Sequence, residues 1–220
     1  MPLQLKYKGY IFDLDGVLVD TAKFHFQAWK NLAKKLNIEL TEEHNEQLKG
    51  VSRMDSLDII LSIGGKSIEE DRKIELAAEK NDEYLALIKQ VGADDALPGT
   101  YSTLERLKKE GAKICLASAS KNAIPVIKSL GIEEFFDEMV DGNMVWKSKP
   151  NPEVFLTAAR LLRLESKDCL VFEDAISGIE AAQAAGMSTV GIGSEDVLTE
   201  ADAVVASLAE LEEEHIFEVI

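Results

Sequence analysis

The chain has 220 residues, of which 46% are hydrophobic and 29% charged, and its formal net charge is −16. This suits a globular protein with one sizeable core, or with a core and a small second domain. The charge excludes nucleic acid and anionic membranes as favoured partners, because long-range steering would be repulsive. No apolar run approaches the roughly 20 residues of a membrane helix, and the first ten residues contain no apolar signal core, so a cytoplasmic location is expected.

The first element in chain order is an apolar run at residues 10–12, followed by Asp13, Asp15 and Gly16. Such a run bounded by glycine predicts a buried strand that opens into a turn. Ligands of open α/β sheets bind at this carboxyl edge. Two carboxylates this close need a cation, and a divalent hard cation takes oxygen ligands. Alone, however, an Asp-x-Asp pair serves equally well as a helix cap or a loop acid.

The next stretch, residues 20–95, reads as an all-helical insert. Apolar residues at helical spacing predict a helix over 22–36, a second begins at Thr41, and others cover 54–63 and 68–91. Between them, residues 48–53 interrupt the pattern with a glycine and two cations. The turn-rich residues 92–99 then form the return linker. We therefore expect a helical cap domain at 20–95.

From residue 100 onward, helices and short apolar strands alternate. Helices are predicted at 100–110, 123–130, 151–162 and 176–185, and strands at 112–117, 136–140, 169–172, 188–192 and 203–205. This alternation predicts an α/β fold with a doubly wound parallel sheet, whose catalytic core comprises 1–19 and 96–220. Cys115 and Cys169 lie in apolar runs and form no C-x-x-C pattern. We therefore expect both thiols to be buried and reduced.

Polar residues follow three of the predicted strands. Asp13 and Asp15 end the first, Ser118 ends the second, and Glu173 with Asp174 ends the third, so all should meet at one sheet edge. Lys149 lies in the loop before the predicted helix at 151–162. Alone, Ser118 would be read as a helix cap and Lys149 as a surface lysine. Together the set favours a functional site, because solvated surface does not explain their shared position.

The order of these motifs resembles the haloacid dehalogenase superfamily of phosphotransferases along the whole chain. The core motifs are Asp13-Leu14-Asp15-Gly16, a strand ending in Ser118, Lys149-Pro150 and Glu173-Asp174. Within that superfamily the chain resembles the sugar-phosphate mutases, through residues 20–26, 48–53 and 80–82 of the insert and residues 116–122 of the core. The resemblance implies conversion between β-D-glucose 1-phosphate and β-D-glucose 6-phosphate through the 1,6-bisphosphate. It also suggests a cis peptide at Lys149-Pro150.

The resemblance assigns roles to the core residues. Asp13 is the nucleophile that becomes an aspartyl-phosphate, and Asp15 is the general acid and base. Ser118 and Lys149 stabilise the transferring group. Mg²⁺ is the implied cofactor, and its expected ligands are Asp13, Asp15, Glu173 and Asp174.

The resemblance places a second phosphate site in the cap, with Arg53 as its main cation. On physics alone, Arg53 is equally a surface charge at a helix start, and His25 a packing residue. The full set of expected substrate-binding residues is Thr21, His25, Trp29, Lys49, Gly50, Ser52, Arg53, Lys80, Ala119 and Asn122. A cap hinging at 17–21 and 92–97 would exclude water from the site.

Three other functions compete with this interpretation. The nearest is a sugar-phosphate phosphatase that uses water as acceptor. A regulatory protein without catalysis is disfavoured by the intact acidic set, and a dehalogenase would not need Asp15 or the metal acids. The expected partner is a small sugar phosphate, bound by a monomer.

Overall fold

The computed structural model describes residues 5–213. Its centre is a six-stranded, all-parallel sheet with the strand order β3-β2-β1-β4-β5-β6. The strands are β1 (Gly9–Phe12), β2 (Lys113–Ala117), β3 (Glu138–Val140), β4 (Cys169–Glu173), β5 (Ser188–Ile192) and β6 (Ala203–Val205). The predicted α/β fold with a parallel sheet is confirmed.

Apart from the short helix at Glu210–Glu213, which was not predicted, the helices observed in the described residues agree with the predicted ones to within a few residues at their ends. They are α1 (Ala22–Lys35), α2 (Glu42–Glu46), α3 (Arg53–Ile63), α4 (Glu70–Leu87), α5 (Thr100–Lys109), α6 (Ala123–Leu130), α7 (Glu153–Leu162), α8 (Ile176–Ala184) and α9 (Glu210–Glu213). Thr41 caps α2, accepting from the His44 N–H at 3.3 Å. The Lys149-Pro150 peptide bond is cis, as suggested.

Alternating side chains of β1 fill the two layers on either side of the sheet. Tyr10 and Phe12 enter one hydrophobic cluster, whereas Ile11 enters the cluster on the opposite face. All three side chains are fully buried. Burial on both faces is expected for a parallel sheet covered by helices, and it holds the central strand firmly in place.

The helices α1, α3 and α4, with the loops on either side of α2, share a third hydrophobic cluster of their own, which includes Trp29, Leu32, Leu57, Ile60 and Leu76. No strand lies between residues 22 and 91 of the described chain, as predicted. A separate core supports the proposed cap domain, although its limits at 20 and 95 stay a prediction.

The two connections between the sheet and these helices run side by side. Val19 pairs with Ala96 in an antiparallel bridge, and the Leu97 N–H donates to the Leu18 carbonyl at 3.0 Å. The Thr100 hydroxyl reaches the same carbonyl at 3.0 Å. Within residues 5–213, no helix has the length and apolar character needed to cross a membrane.

Candidate active site

Three neighbouring strands bring the predicted acids and Ser118 to one sheet edge. Asp13 directly follows β1, and its N–H extends the ladder to the Phe172 carbonyl at 3.0 Å. Ser118 directly follows β2 and donates its N–H to the Val140 carbonyl at 3.0 Å. Glu173 is the last residue of β4. The parallel order of the sheet therefore produces the convergence expected from sequence.

Lys149 lies between two carboxylates at this edge. Its Nζ is 2.6 Å from Asp13 Oδ1 and also donates to Glu173, and all three residues are buried. Burial alone would lower the pKa of Lys149, but attraction to the two carboxylates raises it. Burial raises the pKa of Glu173 despite the lysine charge. Lys149 is thus a permanent cation fixed beside the candidate nucleophile.

Asp15 is held by Thr21, whose hydroxyl donates to the Asp15 carboxylate. Behind Thr21, the Tyr84 hydroxyl lies 3.4 Å from the threonine oxygen. Desolvation, followed by repulsion from Asp13, raises the pKa of Asp15 to about 8. A carboxyl group in this environment can hold a proton near neutral pH, as a general acid must.

Asp174 completes the acidic set and depends on Gly16 for space. A Cβ added to Gly16 would lie 2.2 Å from Asp174 Oδ2, and Gly16 has a φ of +76°. Burial, followed by repulsion from Glu173, raises the pKa of Asp174 well above its ordinary value. Lys49 Nζ approaches its carboxylate only to 3.6 Å. This excess negative charge is an environment that suits an added cation.

The donor set fits Mg²⁺ in its chemistry, because the carboxylates are hard oxygen ligands. Within residues 5–213, no three acid, histidine or cysteine side chains already form a metal-ligand cluster. Glu173 uses one oxygen for Lys149 and accepts the Ala175 N–H with the other at 3.0 Å. Asp13 and Asp174 are therefore better placed than Glu173 to contact a metal directly.

A cavity of about 120 Å³ lies between this edge and the helical insert. Twelve of the residues expected from sequence line it: Asp13, Asp15, His25, Trp29, Lys49, Gly50, Ser52, Arg53, Lys80, Ser118, Ala119 and Asp174. The cavity therefore has acids on the sheet side and cations on the side of the insert.

The guanidinium of Arg53 is half-buried at the start of α3. Its Nη2 donates to Asn81 Oδ1 at 2.7 Å, and Asn122 Nδ2 donates to the same oxygen at 2.9 Å. Within the described residues, no carboxylate oxygen lies within 4 Å of the Arg53 nitrogens. Desolvation lowers the pKa of Arg53, although an arginine stays charged at neutral pH. Its charge is therefore available to an anion in the cavity.

Lys80 and His25 form a second contact on this wall. Lys80 Nζ lies 2.6 Å from His25 Nδ1, and the imidazole ring stacks on Tyr84 with centroids 3.9 Å apart. Desolvation, followed by the Arg53 charge, lowers the pKa of Lys80 to about 7. Desolvation and then the Lys80 charge lower the pKa of His25, so His25 is neutral and can accept from the ammonium group.

Four expected site residues lie behind the cavity wall instead of on it: Thr21, Asn122, Lys149 and Glu173. Thr21 and Lys149 contact residues of the wall, namely Asp15 and Asp13. Asn122 and Glu173 lie one contact further away, against Asn81 and Lys149. Ser52 caps α3 by accepting the Asp55 N–H at 3.2 Å. Ser118 is not a helix cap, because Asn122 occupies that position of α6.

Sequence reasoning missed several residues on the cavity wall, among them Lys121, Trp146, Lys147 and Ser148. Lys147 and Ser148 immediately precede Lys149, so their position in that motif was an available signal. No motif of the sequence marked Trp146, which is 96% exposed in the structure. Ser148 also donates to Asp55 of the insert, which joins the two sides of the cavity.

A buried aspartate at the end of the central parallel strand, a lysine fixed beside it and cations opposite it define an α/β enzyme of the phosphoryl-transfer class. The sequence model of the haloacid dehalogenase-like hydrolases matches residues 7–186. The chain belongs to the haloacid dehalogenase-like hydrolase family.

Three individual relatives make the comparison more specific than the family model does. The β-phosphoglucomutase of Bacillus subtilis is 43% identical over 206 residues, covering 93% of this chain and 91% of the relative. A β-phosphoglucomutase crystal structure from Clostridium difficile matches with a TM-score of 0.93 and 44% identity, covering 96% of each chain. A phosphorylated carbohydrates phosphatase from Thermotoga maritima is 32% identical, covering 83% of each chain. The predicted resemblance is confirmed.

Proposed function

We propose that this protein is a phosphomutase that interconverts β-D-glucose 1-phosphate and β-D-glucose 6-phosphate through β-D-glucose 1,6-bisphosphate. The observation that carries the proposal is Arg53, a cation with no carboxylate partner within 4 Å among the described residues, on the cavity wall that also holds Lys80. A phosphatase needs one phosphate site, whereas a mutase must also hold the second phosphate of a bisphosphate. The two relatives named β-phosphoglucomutase support this choice.

Phosphoryl transfer begins at Asp13 in this proposal. An Asp13 oxygen forms a bond to phosphorus while the bond from phosphorus to the sugar oxygen breaks, and the leaving oxygen takes a proton from Asp15. In the reverse direction, Asp15 accepts the proton of the attacking sugar hydroxyl. The bisphosphate then turns round, so that each phosphate in turn reaches Asp13 while Arg53 holds the other.

The surrounding residues support this transfer electrostatically. Lys149 lies 2.6 Å from Asp13 and offsets the repulsion between the carboxylate and the incoming phosphate. We propose that Asp13, Asp174 and the backbone carbonyl of Asp15 hold Mg²⁺, with Glu173 holding Lys149 in place behind them. When bound, Mg²⁺ supplies further neutralisation of the phosphoryl oxygens.

The same chain also supports proposals on the oligomeric state, the location and the partners of the protein. Sheet and insert of one chain provide both sides of the cavity, so a monomer suffices for catalysis. Cys115 and Cys169 are free and buried, which supports a reducing, cytoplasmic location. The net charge of −16 opposes binding to nucleic acid.

The test is product identity by phosphorus NMR. The protein is mixed with Mg²⁺, β-D-glucose 1-phosphate and a trace of the 1,6-bisphosphate. Glucose 6-phosphate with little inorganic phosphate is expected, whereas mainly inorganic phosphate would identify a phosphatase. Arg53→Ala is expected to lower mutase turnover at least tenfold, since it removes a charged hydrogen-bonding group. Unchanged turnover would refute the second phosphate site.

A further inference from the structure

We propose that Asn81 is a positioning residue, which holds the Arg53 guanidinium at the cavity wall while leaving its positive charge available to a phosphate. The proposal rests on the second phosphate site of the proposed function. It concerns a residue of α4 that does not line the cavity and acts only through Arg53.

The first observation is that one oxygen joins three elements. Asn81 Oδ1 accepts from Arg53 Nη2 at 2.7 Å and from Asn122 Nδ2 at 2.9 Å. Arg53 begins α3, Asn81 lies in α4, and Asn122 precedes α6 on the sheet side. The half-buried guanidinium is therefore fixed in place by an amide that is itself fixed from the opposite side of the cavity.

The second observation is that this acceptor carries no charge. A carboxylate in the same position would form an ion pair with Arg53 and would also repel an incoming phosphate. The amide oxygen satisfies one guanidinium N–H and leaves other donors for a ligand. A neutral acceptor thus combines a fixed geometry with a strong field at the cavity, which is what anion binding requires.

The competing explanation is that Asn81 merely fastens the insert to the sheet. A second contact of that kind exists, because Ser148 donates to Asp55 without involving Arg53. The two explanations differ for Asn81→Asp. A carboxylate retains the acceptor oxygen for both Arg53 and Asn122, so a fastening role would survive, whereas the charge available to phosphate would be lost.

The experiment measures binding of inorganic phosphate by calorimetry, with Mg²⁺ present. Arg53→Ala defines the part of the affinity that depends on Arg53. We expect Asn81→Asp to weaken this part at least tenfold and Asn81→Ala about fivefold, the typical net effect of losing one hydrogen bond while the Arg53 charge is retained. The control Ala78→Asp adds the same charge at an exposed position of α4 and should change the affinity less than twofold.

Wild-type affinity in Asn81→Asp would overturn the proposal, and so would unchanged affinity in Arg53→Ala, because no Arg53 site would then exist. Thermal unfolding followed by circular dichroism verifies that each variant is folded. If Asn81→Ala does not fold, Asn81→Asp and its control Ala78→Asp still distinguish the positioning role from the fastening role. The NMR assay of the wild type tests the mutase proposal separately. If the wild type releases mainly inorganic phosphate but its phosphate affinity still depends on Asn81, the mutase activity is refuted and the positioning role of Asn81 is retained.

Discussion

Replacing Lys149 by methionine tests whether the buried ion pairs at the sheet edge stabilise the fold. Lys149, Asp13 and Glu173 are at most 6% exposed, so the variant leaves two carboxylates without their cation. Breaking a buried pair in this way costs about 3–5 kcal/mol. For a chain of this size that corresponds to a melting temperature about 6–20 °C lower.

The assay is urea denaturation at pH 7, followed by circular dichroism. The matched control is Lys8→Met, since Lys8 forms an ion pair with Asp168 at 3.1 Å but its side chain is 70% exposed. That surface pair is worth at most about 1 kcal/mol. Adding Glu173→Gln to Lys149→Met should recover part of the loss, because the amide keeps an oxygen for the Ala175 N–H. A loss below about 1 kcal/mol for Lys149→Met would refute the reasoning.

Three further predictions concern the metal, the pH dependence of stability and the nucleophile. Gly16→Ala and the control Gly111→Ala, at φ values of +76° and +77°, should each lose at least about 1–2 kcal/mol of stability through backbone strain. Only Gly16→Ala should weaken Mg²⁺ binding in calorimetry, because only its Cβ meets Asp174. The pKa of Lys80 is lowered from 10.5 to about 7 in the folded protein, so between these pH values the unfolded state binds more protons than the folded state does. Wild-type stability should therefore rise between about pH 7 and 10 relative to Lys80→Met, by at most about 4 kcal/mol, and parallel urea-denaturation curves would contradict this. Asp13→Asn should form no phosphoprotein with acetyl phosphate in intact mass spectrometry, and a mass increase of one phosphoryl group would exclude Asp13 as the nucleophile.

The sheet edge could be predicted from sequence because parallel strands impose a direction. Once the runs ending at Asp13, Ser118 and Glu173 were recognised as parallel strands, their carboxyl ends had to meet. Helix starts were equally accessible, since Thr41 caps α2 through its immediate neighbours. Such features depend on periodicity and on contacts within a few residues.

The contacts of the cavity wall could not be predicted, because they join residues far apart in sequence. Asn81 meets Arg53 and Asn122 only after three helices have packed, and no spacing encodes that meeting. Thr21 was expected at the substrate but lies beneath Asp15, and only the turn after Gly16 determines this. Predicting such positions requires the relative placement of helices, which periodicity does not supply.

The central position of β1 has a consequence for the order in which the protein becomes active during synthesis. Residues 9–12 pair with residues 113–116 on one side and 169–172 on the other. Contacts this distant in sequence form late and slowly. Asp13 therefore meets Lys149, Glu173 and Asp174 only after most of the chain has been synthesised. A nascent chain that ends before β4 contains Asp13 and Lys149 but lacks Glu173 and Asp174, so the acidic site stays incomplete until β4 has been added to the sheet.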